Sequence, residues 1–246
     1  MVILWQTYKT RDLDPEFQEY VSRWKNMHPE FEYRFLNDND LKKLISDHVP
    51  RYLDFYNKCT RNIERVDFAR LVMMYIGGVY ADLDTYPIKP IDEWLIKNKI
   101  IIGREPLEHA RNLYKREIVL CNAFMISPPR QQFWLDLMDF LVRHYEPYNN
   151  PVYNTGPIAM TRFYEYYPEK FSQVVITNPC AFFPIISNGE ISKYCPGLEN
   201  SNVVHAWSNT WTNKKWWDNP SFLNKKYWYT ILLLALLLFI VIFHKK

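Results

Sequence analysis

Apolar positions recur along the chain in two rhythms. After Asp14-Pro15, Phe17, Tyr20, Val21 and Trp24 fall three and four apart, which predicts a helix running to about Met27. The clearest helix is Arg61–Ile76, with Val66, Ala69, Met73 and Ile76 on one stripe and Gly77-Gly78 as its stop. Further helices are predicted over Asp38–Val49, Arg51–Tyr56, Pro129–Tyr145 and Gly156–Tyr166. Short apolar or alternating runs at Val2–Trp5, Phe31–Leu36, Val79–Ala81, Ile100–Gly103, Asn122–Ser127, Val174–Thr177 and Asn202–Ala206 read as strands. Strands alternating with helices predict an α/β fold with a mainly parallel central sheet. The charged stretch Arg104–Glu117 reads as an exposed loop, a candidate lid.

The C-terminal pattern differs. Ile231–Phe243 is thirteen residues without a polar side chain, preceded by Lys225-Lys226 and Tyr227-Trp228-Tyr229 and followed by His244-Lys245-Lys246. Aromatic and basic flanks of this kind suit a membrane interface. Tyr227–Phe243, seventeen residues, spans roughly 25 Å as a helix, at the short limit for a bilayer core of about 30 Å. The expected organisation is a domain over residues 1–215, a juxtamembrane linker over 216–226 and one C-terminal transmembrane helix over 227–243. The N-terminus carries no basic region followed by a long apolar run, so no signal peptide is expected. A C-terminal anchor without one suggests a domain facing the cytosol.

Composition narrows the function classes. Hydrophobic residues at 48% and charged residues at 23% exclude wholesale disorder. A net charge of +3 with no Lys/Arg stripe argues against a nucleic-acid partner. Cys59, Cys121, Cys180 and Cys195 lack CxxC spacing, so a zinc site is not expected; disulfides and free thiols both stay open.

Candidate chemistry lies in three Asp-x-Asp triplets, a pattern that thirteen aspartates make unremarkable by itself. Asp12-Leu13-Asp14 and Asp38-Asn39-Asp40 precede helices and read as caps. Asp82-Leu83-Asp84 instead follows a helix, a Gly-Gly stop and an apolar strand. On an extended segment its two carboxylates point the same way and can face one Mg²⁺ or Mn²⁺ bridging a diphosphate. Asp67 and Arg70 share a helix face at the edge of its apolar stripe, directly before that turn.

Arg65-Val-Asp-Phe-Ala-Arg70 with Tyr75-Ile-Gly-Gly-Val-Tyr-Ala-Asp-Leu-Asp84 resembles the signature of family 32 glycosyltransferases, which include fungal initiating α-1,6-mannosyltransferases and mannosyl-inositol-phosphorylceramide synthase subunits. Gln6-Thr7-Tyr8-Lys9-Thr10 resembles the family's opening strand and loop, and Trp24-Lys25, Pro29 and Tyr33 its next block. Asn122-Ala123-Phe124, the turn Thr155-Gly156-Pro157, and His205-Ala206-Trp207 with Trp211 follow in the family's order. The opening strand departs from the pattern: Leu4-Trp5-Gln6 stands where Ile-His-Gln is typical.

The resemblance implies a GT-A type nucleotide-sugar-binding sandwich and a retaining, Mn²⁺- or Mg²⁺-dependent hexosyltransferase. By it, Asp82 and Asp84 meet the ribose and the metal–diphosphate, with Asp84 the direct ligand and His205 near the same ion. Asp67 and Arg70 hold donor-sugar hydroxyls, Trp207 donates its indole N–H to a phosphate, and Gln6, Asn122 and Gly156 line the donor site. GDP-mannose is the favoured donor and a glycan or glycolipid the acceptor, at an endoplasmic-reticulum or Golgi-type membrane in a eukaryote. A UDP-galactose or UDP-N-acetylglucosamine donor, a silent sugar-nucleotide-binding module, and front-face against double-displacement chemistry all stay open.

Overall fold

The computed structural model describes residues 1–208. The segments expected as a linker and a transmembrane helix, and Trp211, lie outside the described residues. Among the described residues no helix is long and apolar enough to cross a membrane.

The chain opens with β1 (Ile3–Thr7) and α1 (Pro15–Met27), a helix with Pro15 in its first turn and Phe17, Val21 and Trp24 buried. Next come β2 (Glu32–Leu36), α2 (Asp38–His48), a short 3₁₀ turn and α3 (Leu53–Lys58). The helix α4 (Asn62–Ile76) is buried on most of its sides, taking Glu64, Asp67 and Arg70 inward with its apolar residues. It stops at Gly77 and Gly78, whose φ values of 105° and 115° belong to the left-handed side of the map. A Cβ at Gly78 would meet the Ile3 carbonyl oxygen at 2.3 Å, so the chain passes here only without a side chain.

Beyond the glycines lie β3 (Gly78–Ala81), β4 (Thr85–Pro87), α5 (Asp92–Leu95), β5 (Ile100–Arg104), α6 (Leu107–Tyr114) and β6 (Leu120–Ser127). The last elements are α7 (Gln132–His144), α8 (Pro151–Asn154), α9 (Pro157–Tyr166), β7 (Val174–Thr177), α10 (Pro179–Phe182) and β8 (Val203–His205). The stretch expected as an exposed charged loop is thus the end of β5 followed by α6, with Glu105, His109 and Ala110 buried. Its charges mislead because Arg111, Asn112 and Leu113 point to solvent while the preceding turn packs inward.

Six strands form the main sheet in the order β2-β1-β3-β6-β5-β7. The pairs β1–β2, β1–β3 and β5–β7 are parallel, and β6 runs antiparallel to both neighbours. The mainly parallel sheet read from the sequence is therefore present, with one reversed central strand. Alternate residues feed two cores: Trp5, Tyr80 and Ile102 meet α2, α4, α7 and α9 on one face, while Leu4, Val79 and Ile101 meet Trp24, Phe182 and Phe183 on the other. A separate antiparallel pair, β4–β8, lies beside the sheet with Thr85 opposite His205.

Candidate active site

The third Asp-x-Asp triplet lies in a tight turn between β3 and β4, not on an extended segment. The Asp82 N–H donates to the Ala123 carbonyl at 2.7 Å, and the Thr85 N–H donates back to the Asp82 carbonyl at 2.9 Å. A turn brings the two carboxylates together as extended backbone would, by folding the chain between them. The β4–β8 ladder then delivers the third group. His205 Nε2 lies 3.1 Å from Asp84 Oδ1, and the Ala206 N–H donates to the Asp84 carbonyl at 2.8 Å. Asp82, Asp84 and His205 can each offer one ligand atom within 4.8 Å of the others.

These residues suit a divalent ion on two counts. Two carboxylates supply hard oxygens and an imidazole a borderline nitrogen, a set able to hold a divalent ion. His205 Nδ1 is buried without a hydrogen-bond partner, so the ring still has an uncommitted nitrogen. The triplet's electrostatics are split. Burial pushes the Asp84 carboxyl up, but the charge and hydrogen bond of His205 and the Ser208 N–H at 2.7 Å outweigh it and hold the group down at about 2. Asp82 is raised, because burial outweighs the pull of Arg70. His205 loses by burial and gains more from Asp84, so its pKa lies above the ordinary value.

Behind the triplet runs a buried polar network. Asp67 and Arg70 are 5% and 4% exposed, far from the surface ion pair their spacing alone would suggest. Arg70 Nη2 lies 3.5 Å from Asp67 Oδ1 and 3.2 Å from Asp82 Oδ1, its Nη1 donates to the Asn122 carbonyl at 3.0 Å, and its guanidinium covers the Tyr80 ring. Asp67 also accepts from Asn122 Nδ2 at 3.0 Å and from the Thr155 hydroxyl at 3.0 Å. Burial raises the Asp67 carboxyl to about 6 even against Arg70 and these donors.

Local folding explains each member. The β5–β6 register shifts between Ile102 and Gly103, so that Gly103 faces Cys121 while Ile102 faces Met125. The intervening Asn122–Phe124 leave the β5 ladder, which frees the Asn122 carbonyl for Arg70. Gly156 lets the TGP turn close over Asp67: a Cβ there would lie 3.4 Å from Asp67 Oδ2 and 3.0 Å from the Val152 Cα.

Two further residues assigned by the resemblance are held by protein partners. Gln6 is fully buried; its Nε2 donates to the Asp82 carbonyl at 3.4 Å and its Oε1 accepts from Tyr33 at 3.1 Å. Trp207 donates its indole N–H to the Ile185 carbonyl at 2.8 Å, so that hydrogen is not aimed at a phosphate; the ring packs on His205 with centroids 4.1 Å apart. The two Asp triplets read as caps are also corrected. Asn37 caps α2, accepting from the Asn39 and Asp40 N–H groups, while Asp40 returns a bond to the Asn37 N–H. Asp14 stands at the α1 N-cap but makes no side-chain cap bond. Tyr80, whose hydroxyl donates to Asp82 Oδ1 at 2.6 Å, escaped the sequence reading; its period-two spacing from Asp82 was the available signal. Of the two cysteine outcomes left open, both occur: Cys180 and Cys195 form a disulfide and Cys59 and Cys121 are buried thiols.

Residues 14–101 match the family described as the glycosyltransferase sugar-binding region containing a DXD motif. The chain is thus similar to glycosyltransferases of the family 32 type over its first part. Mannosyl phosphorylinositol ceramide synthase SUR1 of Saccharomyces cerevisiae is 28% identical to it over 171 residues, 67% of this chain and 42% of that protein. Inositol phosphoceramide mannosyltransferase 3 of Schizosaccharomyces pombe is 26% identical over 160 residues, 65% of this chain and 43% of its own. The initiation-specific α-1,6-mannosyltransferase of Candida albicans is 27% identical over 110 residues, 42% of this chain and 29% of its own. The chain thus spans less than half the length of these curated relatives. Its fold is similar to that of mouse xyloside xylosyltransferase 1, with a TM-score of 0.53 at 11% identity, covering 85% of this chain and 98% of the other. A GT-A-like α/β fold accounts for that likeness.

Proposed function

We propose that this glycosyltransferase moves a mannosyl group from GDP-mannose to a glycan or glycolipid such as an inositol-phosphoceramide, with retention of configuration and with Mn²⁺ bound. The observation that carries the reading is the convergence of Asp82, Asp84 and His205 on one ion-sized space. In that space a bound Mn²⁺ would neutralise charge developing on the departing diphosphate. Asp84 would be the direct ligand, with Asp82 and His205 completing the protein's share. Arg70 braces Asp82 from behind at 3.2 Å, and Asn122 and Thr155 hold Asp67 against Arg70. Asp67 and Arg70 are read as bordering the donor sugar and Gln6 and Gly156 as shaping the walls. Relatives named for mannosyl transfer, two of them to inositol phosphoceramides, favour that donor and a lipid acceptor.

Thermal-shift screening with Mn²⁺ and each nucleotide sugar, followed by donor hydrolysis, tests the reading. GDP-mannose should give the largest shift and slow metal-dependent hydrolysis; a preference for UDP-sugars would replace the donor, and binding without hydrolysis would favour a silent module. The apolar run Ile231–Phe243 is proposed as the membrane anchor. A chain ending at Asn224 should leave the membrane fraction without detergent, and its retention there would end that proposal.

A further inference from the structure

Residues 205–208 wrap Asp84. His205 Nε2 lies 3.1 Å from Oδ1, the Ala206 N–H donates to the Asp84 carbonyl at 2.8 Å, and the Ser208 N–H donates to Oδ2 at 2.7 Å. Both carboxylate oxygens therefore meet one short segment, and the path of that segment sets how the carboxylate is turned. Trp207 stands in the middle of the path with a φ of 56°, a left-handed backbone that a bulky side chain rarely adopts. Continued in the β4–β8 register, Ser208 would face Asp82; the turn at Trp207 brings its N–H to the Asp84 side chain instead.

Backbone strain of this kind persists only where the surroundings over-determine it. Here they do. The Trp207 indole N–H donates to the Ile185 carbonyl at 2.8 Å, and the ring packs on His205 and His109 with centroids 4.1 and 4.5 Å away. Ile185 belongs to a small hairpin. It bridges Ile191, the Ile186 N–H donates to the Glu190 carbonyl at 2.8 Å, and the Cys180–Cys195 disulfide closes the base. The helix α6 holds this hairpin in turn: His109 Nε2 accepts the Ser187 N–H at 3.1 Å, and Glu108 accepts from the Ser192 hydroxyl and the Lys193 N–H. A chain of contacts thus runs from the disulfide-closed hairpin, through one indole, to the His205 ring and the Asp84 carboxylate.

We propose that Trp207 is a positioning residue for the ion-binding centre. Anchored on the Ile185 hairpin, it holds the His205 ring directly and the Asp84 carboxylate through the Ser208 N–H, in the arrangement that receives a divalent ion. The proposal rests on the metal reading above. It differs from a phosphate contact, because the indole hydrogen is committed to the Ile185 carbonyl. Ligands already held in place spare the ion the cost of ordering them, and the groups that orient metal ligands typically contribute about 10–100-fold in affinity.

The test titrates the full chain, in detergent, with Mn²⁺ alone and follows the free ion by electron paramagnetic resonance. Melting in EDTA reports the fold without the metal. Trp207→Gly accepts a positive φ without strain and removes the ring with its N–H. Trp207→Phe keeps a ring beside His205 and removes the link to Ile185. Affinity for Mn²⁺ should fall by about tenfold or more in Trp207→Gly, and by about threefold or more, but less than in the glycine variant, in Trp207→Phe. Both variants should still melt cooperatively in EDTA. A smaller fall in either variant would overturn the proposal, and a lower melting temperature with unchanged affinity would mark Trp207 as packing alone. Unchanged affinity for Mn²⁺ with weaker binding of GDP in its presence would overturn it in favour of a phosphate contact. If Trp207→Gly does not melt cooperatively, Trp207→Phe decides by its own limit. A wild type that binds no Mn²⁺ would instead refute the metal reading, and the proposal with it.

Discussion

Replacing Arg70 by Met isolates the energetics of the buried network. The substitution removes the cation that lies 3.5 Å from Asp67 and 3.2 Å from Asp82 and leaves both carboxylates inside the protein. Breaking a buried pair from one side costs about 3–5 kcal/mol, because the remaining charge is uncompensated. The hydrogen bond from Arg70 to the Asn122 carbonyl is lost as well, and a bond from a charged donor contributes about 1.5–3 kcal/mol, overlapping the first figure. At neutral pH the deficit should therefore be about 3–5 kcal/mol. It should also depend on pH in a defined direction. Burial already raises Asp67 to about 6 and raises Asp82 with Arg70 present; without the guanidinium both should rise further. A carboxyl whose folded pKa exceeds its unfolded value adds stability below the unfolded pKa and loses it as pH climbs through the folded one, at up to about 1.4 kcal/mol per pH unit for each group. The Arg70→Met deficit should thus be small near pH 5 and widest near pH 8. Urea denaturation in EDTA, followed by tryptophan fluorescence at pH 5, 6.5 and 8, measures it. A deficit below about 1 kcal/mol at pH 8, or one that does not change with pH, would refute the buried-charge argument.

Asp84→Ala should keep the fold and lower transfer by a factor of 10² or more, about 2.7 kcal/mol of transition-state stabilisation; chelation of wild type should match it and Mn²⁺ reverse it, whereas full activity in EDTA removes the metal from the reaction. Asn37→Ala should destabilise the domain by about 1 kcal/mol in urea melts while Asp14→Ala changes little, since only Asn37 makes a side-chain cap bond; equal effects would contradict the cap assignment. Reducing the bond between Cys180 and Cys195, fifteen residues apart, or replacing both by Ser, should cost about 3 kcal/mol of stability, measured by melting with and without reductant; an unchanged melting temperature would mean the link adds nothing.

Much of this architecture could be read from side-chain periodicity. α1, α4, α7, α9 and the main-sheet strands fall within a few residues of their expected places because each carries its own stripe, cap or breaker. Elements set by distant partners were not readable. β4 is three residues whose strand character exists only through β8, which lies more than a hundred positions away. α6 follows a buried turn among charged residues, and only the packing of His109 against Trp207 reveals which side faces in. In the site, the helix–Gly-Gly–triplet block was legible because its members are close in sequence. The irregularity in β6 was not: Leu120–Ser127 is buried at every position, so its pattern gives no parity from which to see Ala123 and Phe124 fall on the same face.

The Gly77-Gly78 joint divides the site into a fixed half and an adjustable half. α4 and β3 are joined through Gly77 alone, and neither Gly77 nor Gly78 has room for a side chain. A one-residue insertion there would turn Tyr80 to the opposite face of the sheet and carry the Asp82 turn with it, separating Arg70 from its anion. Asn122, Thr155 and His205, by contrast, reach the same centre from segments separated by long stretches of chain. A change in any one of those later segments would therefore move a single contact of the centre, whereas a change of length at the α4–β3 joint would displace its whole charge geometry at once.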